Sequence, residues 1–224
     1  ALSVERNIAV YIDGGHVVAV DIITGKRRPL VRIPDDRFPL AQNCVAGHGD
    51  WFVYVHADRA RYDWLLAQRE RGRDFRKLAT QCEGTQLCAV HLDTREQRVL
   101  LRINYPIHHV HPYGARHLVF SHVPGHRTGM AVTDLDGGWY SVLRTPDAHG
   151  GRIVHHVPTA RGIAYELTDR EDGSWAGLYD PFTHDRCEFR VPDGTSHTGL
   201  DPTGISFFYQ TGDNRIEALV RHHP

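Results

Sequence analysis

Histidine is the side chain here with the plainest capacity for chemistry, and it recurs in a fixed context. His108, His109 and His111 precede Pro112, His155 and His156 precede Pro158, and His197 precedes Pro202. Neutral imidazole ligates manganese, zinc and similar ions and exchanges protons near neutral pH. Strand alternation puts neighbours on opposite faces, so one member of His108/His109 and one of His155/His156 is expected to pack between sheets. A second concentration is Ser121-His122-Val123-Pro124-Gly125-His126-Arg127-Thr128, a Pro-Gly loop leaving the end of a strand. Loops on rigid scaffolds commonly carry binding groups, and the Arg127 guanidinium suits bidentate capture of a carboxylate. No Gly-x-Ser-x-Gly, P-loop or dinucleotide fingerprint occurs. The pattern points to a histidine- and arginine-lined pocket for an anionic ligand.

The elements that must position these residues follow from spacing. Pro112, Pro158 and Pro202 lie 46 and 44 residues apart, and each is followed by a buried-looking strand. Repeats of that length built from short strands predict an all-β fold, a β-propeller of four-stranded blades. Consecutive innermost strands then carry the histidines. Asn7–Tyr11 and His16–Asp21, joined through Asp13-Gly14-Gly15, read as a hairpin. An acidic turn recurs at Asp21, Asp93, Asp134 and Asp180, where the aspartates read as turn formers. The 72 residues from Asp21 to Asp93 exceed the later intervals of 41 and 46, and the excess at residues 58–81 predicts a helical insertion in the second blade. This register gives a partial first unit lacking a clear inner strand, three complete units, and a last unit lacking an outer strand. The expectation is one propeller domain over residues 1–224, incomplete, with about five units of a seven-bladed ring.

Composition excludes several classes. The formal net charge of −1 gives no field toward nucleic acid. No apolar run is long enough to span a bilayer. The four cysteines form no CxxC pair, so they read as reduced thiols of a cytoplasmic protein. The 17 histidines are the unusual count.

The order of motifs resembles the oligogalacturonate lyases, seven-bladed propeller enzymes of pectin breakdown. The likeness runs from about Asn7 to Gly212. It takes in Val20-Asp21-x-x-Thr24-Gly25, the insertion with Asp63-Trp64 and Phe75, Leu92-Asp93-Thr94, Ser121-His122-x-x-Gly125-His126 and Ser196-His197. The resemblance implies β-elimination on short oligogalacturonides, usually with a manganese ion, and implies His197 as a metal ligand. It matches His122 and His126 to the loop histidines before the family's catalytic arginine. That arginine's position falls near Gly129, and Arg127 is the nearest replacement. The histidine of a His-Glu-Phe-Trp motif falls on Ile153, with His155 and His156 two and three residues away. A Gln-x-x-His-x-His motif that supplies the family's other metal ligands has no counterpart in this chain.

The expected roles are therefore Arg127, His122 and His155 in catalysis, His126, His109 and His156 on the substrate, and His197 on the metal. The expected partner is a small acidic oligosaccharide, with neither nucleic acid nor membrane, and a homo-oligomer is compatible. The alternative is a non-catalytic propeller of the TolB or WD40-like kind, a scaffold for a ligand or protein.

Overall fold

In a computed structural model, the described residues are 2–3, 6–73, 84–104, 107–122, 129–143, 152–169, 173–191, 196–200, 206–210 and 215–220. They form five antiparallel sheets in which each strand pairs with its successor in sequence. The first sheet holds β1 (Leu2–Ser3), β2 (Ile8–Asp13), β3 (His16–Asp21) and β4 (Arg27–Arg32). The second holds β5 (Arg37–His48), β6 (Trp51–Asp58), β7 (Thr85–His91) and β8 (Gln97–Ile103). The third comprises β9 (Ile107–Tyr113), β10 (His117–His122), β11 (Gly129–Asp134) and β12 (Tyr140–Leu143). The fourth comprises β13 (Arg152–Thr159), β14 (Gly162–Asp169), β15 (Gly173–Tyr179) and β16 (Arg186–Arg190). The fifth has three strands, β17 (Ser196–Leu200), β18 (Ser206–Gln210) and β19 (Ile216–Val220). The first unit thus has an inner strand after all. With only two residues, β1 is too short to leave an alternating pattern in the sequence.

Between β6 and β7 runs α1 (Arg59–Glu70), whose N-cap Asp58 accepts the Arg61 amide at 2.8 Å. That bond satisfies one of the helix's orphan N–H groups. Phe38 of β5 stacks on Tyr62 of α1 with ring centroids 4.1 Å apart, seating the helix over the start of β5.

The sheets pack face to face through alternate residues of each strand. From β6, Phe52 and Tyr54 join Val10, Val17 and Leu30 against the first sheet, while Val53 and Val55 join Leu118 and Phe120 against the third. From β10, Leu118 and Phe120 point to the second sheet and Val119 joins Ile163 and Tyr165 of the fourth. Both faces of an interior sheet are therefore apolar, which explains the near-continuous hydrophobic run at residues 51–57. Tyr165 lies across β15 because Gly177 has no side chain: a Cβ there would stand 2.4 Å from the tyrosine ring.

The first strands β1, β5, β9 and β13 are neighbours in turn. That arrangement sets β9 and β13, two of the histidine-bearing strands, side by side.

Turn chemistry refines the repeat. Asp21 Oδ1 accepts the Ile23 and Thr24 amides, and Asp180 Oδ1 accepts those of Phe182 and Thr183. In the second sheet the same place belongs to His91, not Asp93: its Nδ1 accepts the Asp93 and Thr94 amides at 3.2 and 3.3 Å. Asp93 instead reaches back to Arg6, Nη2 to Oδ2 at 2.6 Å. An imidazole nitrogen with a lone pair replaces the carboxylate as acceptor, a substitution that a search for acidic turns misses.

Candidate functional site

The inner strands do not pair regularly. Across β9 and β10 the register steps from His111↔Val119 to His108↔Ser121, so two residues face Phe120 alone. His109 is in the left-handed region, φ +50°, and absorbs the extra residue. Irregularities recur at Ile153/His155 in β13, at Ser196/Thr198 in β17 and at Leu40/Val45 in β5. Bulges re-aim side chains and are common beside functional sites. Here they end strict alternation: Ile107 and Val110, three residues apart, both pack in the core shared with the second sheet. Strict alternation is therefore interrupted within β9 at His109.

Pairing also puts the bulges toward one end of the sheets. Ile107, at the start of β9, lies opposite His122, at the end of β10, and Ser121 Oγ donates to the His108 carbonyl at 3.1 Å. His155 lies opposite Glu166 in β14, and His197 falls at the step between Gln210 and Tyr209 of β18.

Three imidazoles meet between the third and fourth sheets. The His156 ring is 6.2 Å from His109 and 5.4 Å from His111, edge-on to both, and its Nε2 donates to the His109 carbonyl at 2.9 Å. His156 is 1% exposed, so its ring packs the two sheets together and presents no surface to a ligand. His109 and His111 are half-buried, and His108 is exposed. Desolvation by the surrounding protein lowers the His108 pKa from its ordinary value, with the His109 ring a secondary cause. A neutral imidazole there suits proton abstraction or ligation.

Of the residues singled out by sequence, His109 and His156 are brought together. Arg127 and His126 lie outside the described residues, as do the side chains of His122, His155 and His197. Among the described residues no group of three His, Cys, Asp or Glu side chains is placed to hold a metal ion. The side chain of His197, the expected metal ligand, lies outside the described residues, and no step below is routed through a metal.

A second polar cluster escaped the sequence reading. His56, Cys88, Tyr54 and Gln86 face the first sheet and line a cleft of about 440 Å³ with Arg37 and Arg102. They are spread from residue 37 to 102 without a motif; the one signal was a histidine inside the apolar run Trp51–Ala57.

No protein-family model matches the sequence, and no curated protein matches it. Solved structures do match. An oligogalacturonate lyase in complex with manganese superposes with a TM-score of 0.75 at 17% identity, over 99% of this chain and 64% of that one. The oligogalacturonate lyase from Vibrio parahaemolyticus gives 0.74 at 15% identity, over 99% and 64%. The β-propeller domain of Cps50 (Swd1) from Myceliophteria thermophila gives 0.57 at 11% identity, over 98% and 63%. The chain thus spans about 64% of the length of the two lyases. At these identities the likeness is one of fold: an all-β array of up-and-down sheets, similar to propeller proteins.

Proposed function

We propose that the chain forms blades of an oligogalacturonate lyase-like β-propeller that cleaves short oligogalacturonides by β-elimination at the inner end of its first strands. The observation that supports this most is the superposition over 99% of the chain on the lyases, combined with bulged, histidine-bearing inner strands. In this reading Arg127 pairs with the uronate carboxylate, and its positive charge makes the adjacent C5 proton removable. His122 or His155 accepts that proton, a C4–C5 double bond forms, and the C4–O bond breaks with the departing sugar oxygen taking up a proton. His109 and His126 orient the acidic sugar. His197 is the proposed manganese ligand.

The test is to add a digalacturonate to the purified protein, follow the ultraviolet absorbance of the unsaturated product, and measure bound divalent metal. Rising absorbance is expected, with Arg127→Ala lowering kcat/KM by about 100-fold or more at unchanged thermal stability. His197→Ala is expected to lower metal content and activity together. A metal-supplemented protein without absorbance change would leave the second reading, a non-catalytic scaffold for a ligand or protein, which the likeness to the Cps50 propeller domain supports.

A further inference from the structure

One extra residue in β9 keeps an imidazole out of a hydrophobic core. Val110 packs in the core between the second and third sheets, and unbroken alternation would put His108 on the same face. The bulge gives that place to Ile107 instead. His108 is thereby paired with Ser121, two residues on from Val119 in β10, and Val119 packs against the fourth sheet. Paired residues share a face, so His108 stands with His111 on the side of β9 turned to the fourth sheet. There His108 is exposed, whereas Ser121 opposite it is buried.

Two side chains hold the bulge through consecutive carbonyls. Ser121 Oγ donates to the His108 carbonyl at 3.1 Å, and His156 Nε2, from the fourth sheet, donates to the His109 carbonyl at 2.9 Å. A carbonyl only accepts, so the hydrogen of that bond is on His156 Nε2. His109 has φ +50°, at a bulge position where glycine is usual. The left-handed conformation strains a residue with a Cβ and persists only where its surroundings hold it. The enclosed His156 ring therefore fixes the backbone of the strand beside it. Strain of this kind gathers at functional sites, and the place agrees. Ile107 pairs with His122, so His108 lies one residue in from the end of the β9–β10 pair, at the foot of the loop that carries His126 and Arg127.

We infer, on the oligogalacturonide reading of the same site, that His108 is a sugar-contacting residue and that His156 and Ser121 are the positioning residues that hold it there. Desolvation keeps the His108 imidazole neutral at neutral pH. A neutral imidazole has one donor and one acceptor nitrogen, which suits a sugar hydroxyl and leaves the uronate carboxylate to Arg127. His156 acts on the sugar only through the His109 carbonyl, because its own ring is 1% exposed.

The test is binding and turnover of digalacturonate by the intact, metal-supplemented protein and its variants. His108→Ala is expected to weaken binding about tenfold, the scale of one lost hydrogen bond, at an unchanged thermal midpoint. His156→Phe keeps the ring's bulk and removes the donor, and is expected to weaken binding similarly. His156→Gln keeps a side-chain N–H and is expected to recover part of that loss. Should His156→Phe fail to fold, the wild-type protein answers alone: digalacturonate should shift the His108 ring proton resonances, identified by their loss in His108→Ala. A wild-type protein that binds or cleaves digalacturonate, with His108→Ala indistinguishable from it, would overturn this inference and leave the lyase reading standing. His156→Phe binding as the wild type does would remove the positioning role. A wild-type protein that neither binds nor cleaves digalacturonate would overturn both readings.

Discussion

His56 carries its consequences by position alone. It follows Phe52 and Tyr54 on the face of β6 turned to the first sheet, where an imidazole is enclosed and its charged form is penalised. Its folded pKa of about 4 lies below the ordinary 6.5, so between those values the unfolded chain binds the extra proton. Stability is therefore full above pH 6.5 and is lost as pH falls toward about 4, by up to about 3 kcal/mol. Urea denaturation at several pH values is expected to show this decline, and His56→Phe is expected to flatten it. An unchanged slope in the variant would assign the acid sensitivity to other groups. His156 differs in kind: its ring is equally enclosed, but it bridges two sheets through the His109 carbonyl.

Among the elements, the turn between the third and fourth strands recurs with one geometry. Gly25, Arg95 and His184 occupy one position in three sheets, each with its amide donating to the carbonyl of the turn's first residue at 2.8, 3.0 and 2.9 Å. All three are left-handed, φ +70°, +60° and +64°. Glycine adopts that conformation freely, whereas arginine is strained by its Cβ. Arg95→Gly is therefore expected to raise stability by about 0.5–1 kcal/mol, read as a higher urea midpoint at unchanged m-value. His184 is a poorer site for the same change, because its Nδ1 is hydrogen-bonded to the Tyr179 hydroxyl at 2.8 Å.

For the whole molecule, the same turns hold successive sheets together. The residue two after the turn's first reaches back to the preceding sheet: Asp93 to Arg6, Asp136 to Arg98, and Phe182 to a ring cluster on the third sheet. Phe182 stacks on Tyr113 and Trp139 and meets His117 edge-on, with centroids 5.0–6.1 Å away. The matching residue of the first turn, Ile23, is 76% exposed. Aromatic contact, unlike the exposed ion pairs, is little screened by salt. Phe182→Ala is expected to cost about 1–2 kcal/mol, with the loss independent of ionic strength. Arg6→Ala is expected to matter only at low salt.

The sequence by itself determined the all-β repeat, because strand alternation and turn chemistry are local and recur at a fixed interval. Pro112 and Pro158 fall in the first strands β9 and β13, the excess at residues 58–81 contained α1, and the histidines of β9, β13 and β17 fall where those strands bulge. Tertiary structure alone decided which imidazoles meet. A bulge is a mismatch between two strands, so the step at His109 exists only once β9 pairs with β10, and with it strict alternation ends. Likewise His156 became a packing residue only when the third and fourth sheets closed on it. The cleft lined by His56, Arg37 and Arg102 is built from three strands of the second sheet whose residues share no spacing, so it exists only once those strands pair.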